Sequence, residues 1–351
     1  MTEEIPNRSG DAFTTDDESQ ILNAIDKWLD KEVKDKVLAL DHADEYPIQM
    51  VEQMKSLGLF GATISQKYGG LGMPSASYAK VVTAVSEVWM SLSGIFNSHL
   101  IMAAAVERFG TEDQKQRFLP KFATGEIRGG LALTEPSCGT DLQAIRTKAH
   151  KEGDHYLING SKTWISNGIE GDCVALLVKT DTEIQPRHKG MSLFLAEKGP
   201  GFSAGPKLEK LGYKGIDSAE LFFDNYVIAA DNLIGGEEGQ GFHHTVGGLE
   251  LGRINVAARG VGVANAALKA ATSYAQTRET MGKPIGQHQA IQTKLGDMAT
   301  RCHAARLLVQ DAARAYDRGE RCDMEAGMAK LFASEAAMEN ASECMRIHGA
   351  Y

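Results

Sequence analysis

The stretch Leu131–Asp141, LALTEPSCGTD, decides how this chain is read. It places a glycine, two threonine hydroxyls, a glutamate and an aspartate in one short loop after a helical stretch. Such a loop offers backbone N–H groups and hydroxyls to a polar ligand at close range. Its other reading is a glycine turn with a local side-chain cap. A second polar knot, Trp164-Ile165-Ser166-Asn167-Gly168, follows at the end of a hairpin strand. An aromatic plane beside a hydroxyl suits a flat heteroaromatic cofactor. Taken alone, Trp164 equally fits a buried tryptophan on a hairpin.

Outward from these motifs the chain changes character twice. Residues 1–18 read as a flexible arm, acidic and polar, without the apolar core of a signal peptide or the arginines of a transit peptide. A helix starts near Asp17 and carries Ile21, Ile25, Trp28, Leu29 and Val33 on one face. Pro47 opens a second helix that ends at Gly58. Helical pattern runs from Ser77 to Arg108 with a break expected near Ser91–Asn97, and Thr111 caps a further helix kinked or broken at Pro120. After Gly129, alternation and β-branched runs take over. His155–Gly160, Cys173–Thr180, Met191–Lys198 and Ala219–Ile228 read as strands, and GPGFSAGP reads as a turn. From Gln240 the pattern is helical again. One long helix from Leu249 to Met281 is dense in small residues such as Gly260, Gly262 and Ala264, which let helix axes approach closely. Two more helices follow, the second running from about Met324 to Ile347. The fold class is therefore α+β: an N-terminal all-α domain (1–128), a middle antiparallel β-domain (129–237) and a C-terminal up-down helical bundle (238–351), one helix short of four.

The chain has 351 residues, 43% of them hydrophobic, which supports two or three domains with real cores. The formal net charge of −9 weighs against a nucleic-acid ligand. Five scattered cysteines without C-x-x-C spacing read as reduced thiols, and the ten histidines show no metal-ligand spacing. No apolar run approaches the roughly 20 residues needed to span a bilayer, so a cytoplasmic location is expected. A Rossmann glycine fingerprint, a P-loop and a nucleophile elbow are absent from the sequence.

Two further pieces complete the pattern: Arg278–Gln289 (RETMGKPIGQHQ) and Arg346-Ile347-His348-Gly349-Ala350. Together with Thr134–Asp141 and the I-N-G-x-K-x-W-I run into Trp164–Gly168, they make the chain resemble the acyl-CoA dehydrogenase family over nearly its whole length. The resemblance implies FAD in a cleft, a homotetramer, and α,β-dehydrogenation of an acyl-CoA thioester with electrons passed to an electron-transferring flavoprotein. Carried over residue by residue, it implies that Leu131, Leu133, Thr134, Gly139 and Thr140 line the flavin, and that Thr140 also meets the substrate. Trp164 and Ile165 would pack at the ring system and Ser166 would sit near N5. Arg278, Thr280, His288 and Gln289 would reach the FAD of a neighbouring subunit, with Arg346 and Gly349 in the last glycine-rich motif. Glu250 and Arg253 would contact the acyl-CoA, or else form a surface ion pair three residues apart on one helix face. Asn97 and His99 would give the acyl pocket a polar end, or else satisfy local backbone groups.

Some positions depart from the family's pattern. Met281 stands where Phe is frequent, and Arg346 where Gln is common. The family's usual glutamate base lies past its last glycine-rich motif, so it is expected beyond Tyr351. The alternative helix position for the base is Gly252, which has no side chain to take a proton. Same-fold flavoenzymes with other chemistry (an acyl-CoA oxidase, a desulfinase, a flavin monooxygenase) and a non-catalytic flavin-binding protein stand as the alternatives.

Overall fold

The computed structural model describes residues 13–351. Of the expected flexible arm, residues 1–12 lie outside the described residues, whereas Thr14–Glu18 form the cap and first turn of helix α1 (Thr15–Trp28). The Thr14 hydroxyl accepts from Asp17 N–H, and Asp17 returns the bond to Thr14 N–H. The remaining helices are α2 (Val37–Ala43), α3 (Ile48–Ser56), α4 (Ser75–Phe109), α5 (Glu112–Thr124), α6 (Gly241–Thr277), α7 (Gln289–Asp317) and α8 (Asp323–His348). The chain divides into two compact units that cut across the boundaries at 128 and 237: residues 13–37, Pro74–Ser93 and Glu250–Tyr351 in one, Leu38–Met73 and Gly94–Leu249 in the other.

The first unit gathers α1, the start of α4, most of α6, and α7 and α8. Small residues set its packing. A Cβ on Gly262 would lie 2.5 Å from Thr83 O, and one on Gly260 would lie 2.6 Å from Ala333 O. The Asn340 amide, wholly buried on α8, donates to Met298 O at 3.1 Å on α7 and to Ala264 O at 3.4 Å on α6. Asp317 caps α4 by accepting from Ser75 N–H (2.7 Å) and Ala76 N–H (2.9 Å). The break in α4 falls at Trp89 (φ −154°, ψ 104°), a little before the expected Ser91–Asn97. By length and composition α4 is apolar enough to cross a membrane, contrary to the sequence expectation. With 78% of its most apolar window buried inside the protein, it is a core helix.

The second unit is built on one sheet. Its strands are β1 (Gly129–Ala132), β2 (Lys148–Glu152), β3 (His155–Ser166), β4 (Cys173–Lys179), β5 (Met191–Glu197), β6 (Phe202–Lys207) and β7 (Ser218–Ala229). The order is β1-β4-β2-β3-β7-β6, with β5 pairing β4. Most pairs are antiparallel, as expected, but β1 runs parallel to β4 from Gly129↔Cys173 to Ala132↔Leu176. Strand β2 meets the same strand at Lys148↔Lys179. The segment GPGFSAGP is not only a turn, since Phe202–Lys207 pairs along β7. Helix α5 runs through Pro120 unbroken, anchored by buried Phe118, Leu119 and Phe122, with a capping box at Thr111 and left-handed Gly125 closing it.

His99 belongs to this core. It is fully buried, donates from Nε2 toward Phe122 O at 3.0 Å, and packs edge-on to Phe60 and Phe122 at centroid distances of 5.4 and 5.5 Å. Burial pushes its imidazole down to about 4, the hydrogen bond to Phe122 O offsetting only part of that.

Three predictions follow from this packing. Gly262→Ala should destabilise by about 1–3 kcal/mol, because the new methyl meets backbone rather than a flexible side chain. Gly296→Ala, whose Cβ meets nothing within 4 Å, should stabilise by up to about 1 kcal/mol. Urea midpoints of the two variants should move in opposite directions. Because the folded pKa of His99 lies below its unfolded value, the unfolded chain takes up a proton first as pH falls. Stability is therefore lost between pH ~6.5 and ~4, about 2 kcal/mol of it by pH ~5. His99→Gln should flatten that slope in urea titrations at the two ends of the range.

Candidate functional site

The loop Leu133–Thr147 owes its place to the sheet edge beneath it. Strands β1 and β2 occupy successive stretches of one edge of β4, so the chain between them must leave the sheet and return. The loop closes on itself where Glu135 and Cys138 exchange backbone hydrogen bonds of 2.9 and 3.1 Å. It is tied to β3 where Thr163 N–H donates to Thr134 O at 2.9 Å.

Strand β3 carries the second motif, and a register irregularity decides what it presents. Lys162 pairs Leu221 and Ile165 pairs Ala219, so β3 holds one extra residue there. Within this bulge Trp164 adopts φ +60°, rare for a non-glycine residue, and the residue is 57% exposed. Trp164 is thus not the buried hairpin tryptophan that its local sequence also allowed. Ile165, by contrast, turns inward and is buried in the sheet core, so it can meet a ligand only through its backbone. Asn167, also at positive φ, closes the strand by donating to Ile95 O and Gly129 O, each at 2.9 Å.

Beneath the loop lies an ion pair without solvent. Lys162 Nζ sits 2.8 Å from Glu135 Oε1 and donates also to Leu133 O at 3.1 Å. Glu135 further accepts from Arg146 N–H (2.6 Å) and Thr147 N–H (3.0 Å). Burial alone would push the Glu135 carboxyl up. The Lys162 charge and these hydrogen bonds outweigh it and hold the group below its ordinary range.

The loop's outer face is different. Gly139 and Thr140 are exposed, Leu131, Leu133, Thr134 and Ser166 are half-buried, and among the described residues the hydroxyls of Thr134, Thr140 and Ser166 have no partner. An exposed indole, three unpaired hydroxyls and a loop glycine match the needs of a flat ring with a polar edge. The residues present therefore fit an isoalloxazine.

Within the first unit, Arg278–Gln289 folds as a hairpin, with Glu279↔Pro284 and Thr280↔Lys283 paired and Met281 and Gly282 both at positive φ. The structure brings Thr280 and His288 together, Oγ1 to Nε2 at 3.1 Å, and leaves Arg278 and Gln289 exposed. Arg253 points to Asp323, Nη1 to Oδ1 at 3.5 Å, and Glu250 is buried on the same helix. Arg346 pairs with Glu343, and Gly349 closes α8 at φ +70°. In the second unit Asn97 and His99 are both fully buried, and His99 is committed to Phe122 rather than to a pocket wall. No sequence signal marks Glu135, Lys162 or Asn167 as the scaffold of this site, beyond their place inside the two motifs.

Comparison with known proteins agrees with this geometry. Residues 15–126 match the family model "Acyl-CoA dehydrogenase, N-terminal domain", residues 130–226 the middle domain and residues 239–351 the C-terminal domain. An acyl-CoA dehydrogenase of Bacillus subtilis is 39% identical over 339 residues, covering 96% of this chain and 89% of that protein. Butyryl-CoA dehydrogenase from Megasphaera elsdenii superposes with a TM-score of 0.93 at 34% identity, covering 97% of this chain and 89% of that one. A chain in the structure of the electron transferring flavoprotein of Acidaminococcus fermentans gives 0.93 at 37% identity, with the same coverage. With its loop, its bulged tryptophan and all three domains matched, the chain belongs to the acyl-CoA dehydrogenase family, oxidoreductases whose cofactor is FAD.

Proposed function

We propose that the protein removes the α- and β-hydrogens of an acyl-CoA thioester to give the trans-2-enoyl-CoA, and that its electrons pass to an electron-transferring flavoprotein. The observation that carries this reading is the pairing of the loop with the β3 bulge, which leaves Trp164 and three hydroxyls free on one unit. FAD, when bound, supplies the acceptor for the β-hydrogen as a hydride equivalent. The chain's own residues do the rest. Trp164 offers a ring face, Thr134 and Ser166 donate to the ring's polar edge, and Gly139 leaves room for close approach. Leu131 and Leu133 keep water from it. Thr140 serves both cofactor and substrate. The α-proton of a thioester is weakly acidic, so donors that strengthen as enolate charge develops lower the barrier. A carboxylate in a dry cleft has its pKa raised toward neutrality and suits the base. Gly252 cannot be that base. Glu250 and Arg253 we assign to the acyl-CoA, and Arg278, Thr280, His288, Gln289, Arg346 and Gly349 to FAD held by another copy of the chain.

A homotetramer fits two surface features. Helix α8 leaves Met324, Met328, Leu331, Phe332, Met338 and Met345 exposed at helical spacing, from 38% to 69%. At the tip of the Arg278–Gln289 hairpin, Met281 is 93% exposed in a left-handed conformation. An apolar residue held in such a turn gains when another subunit covers it.

The test is an anaerobic titration of the full-length protein with a panel of acyl-CoAs while the flavin's visible absorption is followed. Bleaching by one chain-length class is the expected result. A bound flavin that no acyl-CoA bleaches would shift the reading to other chemistry on this fold, and a protein without flavin would end it. Trp164→Ala should weaken FAD binding up to about tenfold, the loss of one aromatic contact.

A further inference from the structure

A lysine and a glutamate lie together under the loop with side-chain exposures of 0% and 4%. Taking two charges out of water is costly unless every donor and acceptor is satisfied, and removing one partner of such a pair is far worse than removing both. Here the satisfaction is nearly complete and comes from the two ends of one loop. Lys162 bonds Leu133 O and the Glu135 carboxylate, and that carboxylate also takes the N–H groups of Arg146 and Thr147. The network thus grips the loop at its departure, at residues 133 and 135, and at its return, at residues 146 and 147. Lys162 is two residues from Trp164, and between them Thr163 N–H holds Thr134 O. One charge pair therefore couples three things: where Thr134 sits, how the loop through Gly139 and Thr140 is closed, and the register from which the bulge at Trp164 departs.

We infer that Glu135 and Lys162 are positioning residues for the cofactor. Sealed from solvent, they touch no ligand, and they set the spacing between the Thr134–Thr140 hydroxyls and the strand that carries Trp164 and Ser166. The inference rests on the reading that this face binds FAD. It goes beyond that reading by placing control of flavin affinity and flavin environment in a buried pair beneath the face. A pair serving the fold alone would change stability and leave the bound flavin as it was.

The experiment compares Glu135→Gln, Lys162→Met and Lys162→Arg with the wild-type protein and with Gly262→Ala, a destabilised control whose methyl clashes only with the first unit's helices. Three quantities are read for each: the thermal midpoint, the FAD dissociation constant, and the position and fine structure of the bound flavin's visible bands. Glu135→Gln and Lys162→Met should weaken FAD binding by about tenfold or more and shift the bands. Lys162→Arg, which keeps the charge, should recover part of both. Gly262→Ala should lower the midpoint and leave affinity and bands unchanged. If Lys162→Met does not fold, Glu135→Gln carries the test, because it keeps the side chain's shape and one acceptor oxygen. Variants that lose stability but keep wild-type affinity and bands would overturn the inference. A wild-type protein that binds no FAD would instead overturn the reading on which it rests.

Discussion

The second unit depends on one requirement: Lys162 and Glu135, both shut away from water, must find partners for their charged atoms. In a medium that screens charge poorly, an unmet acceptor or donor is expensive, and the neighbouring backbone is where partners can be found. Leu133 O, Arg146 N–H and Thr147 N–H supply them. The loop is therefore not held by its own turn propensity. Gly139 and the polar residues around it leave the chain many conformations, and the buried pair selects among them. This explains how a loop with an exposed tip can present hydroxyls at fixed positions without spending those hydroxyls on its own hydrogen bonds.

The sheet supplies the second constraint. A loop that departs and returns along one edge of β4 has both ends fixed by parallel pairing to that strand. Strand β3 answers with an extra residue at the place where the loop leans on it. In the first unit the comparable constraint is steric. Gly260 and Gly262 let α6 come so near Ala333 and Thr83 that a single methyl would meet backbone. One unit is specified by polar satisfaction and the other by the absence of side chains.

Much of this was legible in the sequence, and the exceptions have physical reasons. The Thr134–Asp141 and Trp164–Gly168 motifs, the order of helices, strands and helices, and the caps at Thr111 and Pro47 could be read locally, because each depends on residues a few positions apart. Strand β6 could not, since GFSAGPK has poor β-propensity and pairs only because β7 lies alongside it. Strand β1 is two glycines and two apolar residues, too short for a period, and its parallel partner is some 40 residues away in sequence. Pro120 did not stop α5 because the buried side of that helix, Phe118, Leu119 and Phe122, holds the turn together. Helix α6 begins at Gly241 rather than Leu249, since Gly247 and Gly248 weaken the helical signal where packing still sustains the helix.

The candidate site was harder to read than the fold for a reason visible in β3. Tyr156, Ile158 and Lys162 share one phase of the strand's alternation and all are buried. A lysine in that phase reads as a solvent-facing residue unless its partner is known, and Glu135 lies 27 positions earlier. The same alternation would turn Trp164 inward. The extra residue reverses the phase there, so Ile165 takes the inward place and the indole goes out. Sequence therefore gives the residue types of the site, while their direction comes from one bulge and one buried pair. Those two features are properties of tertiary pairing, and they separate a chain that contains the right motif from a chain that presents it.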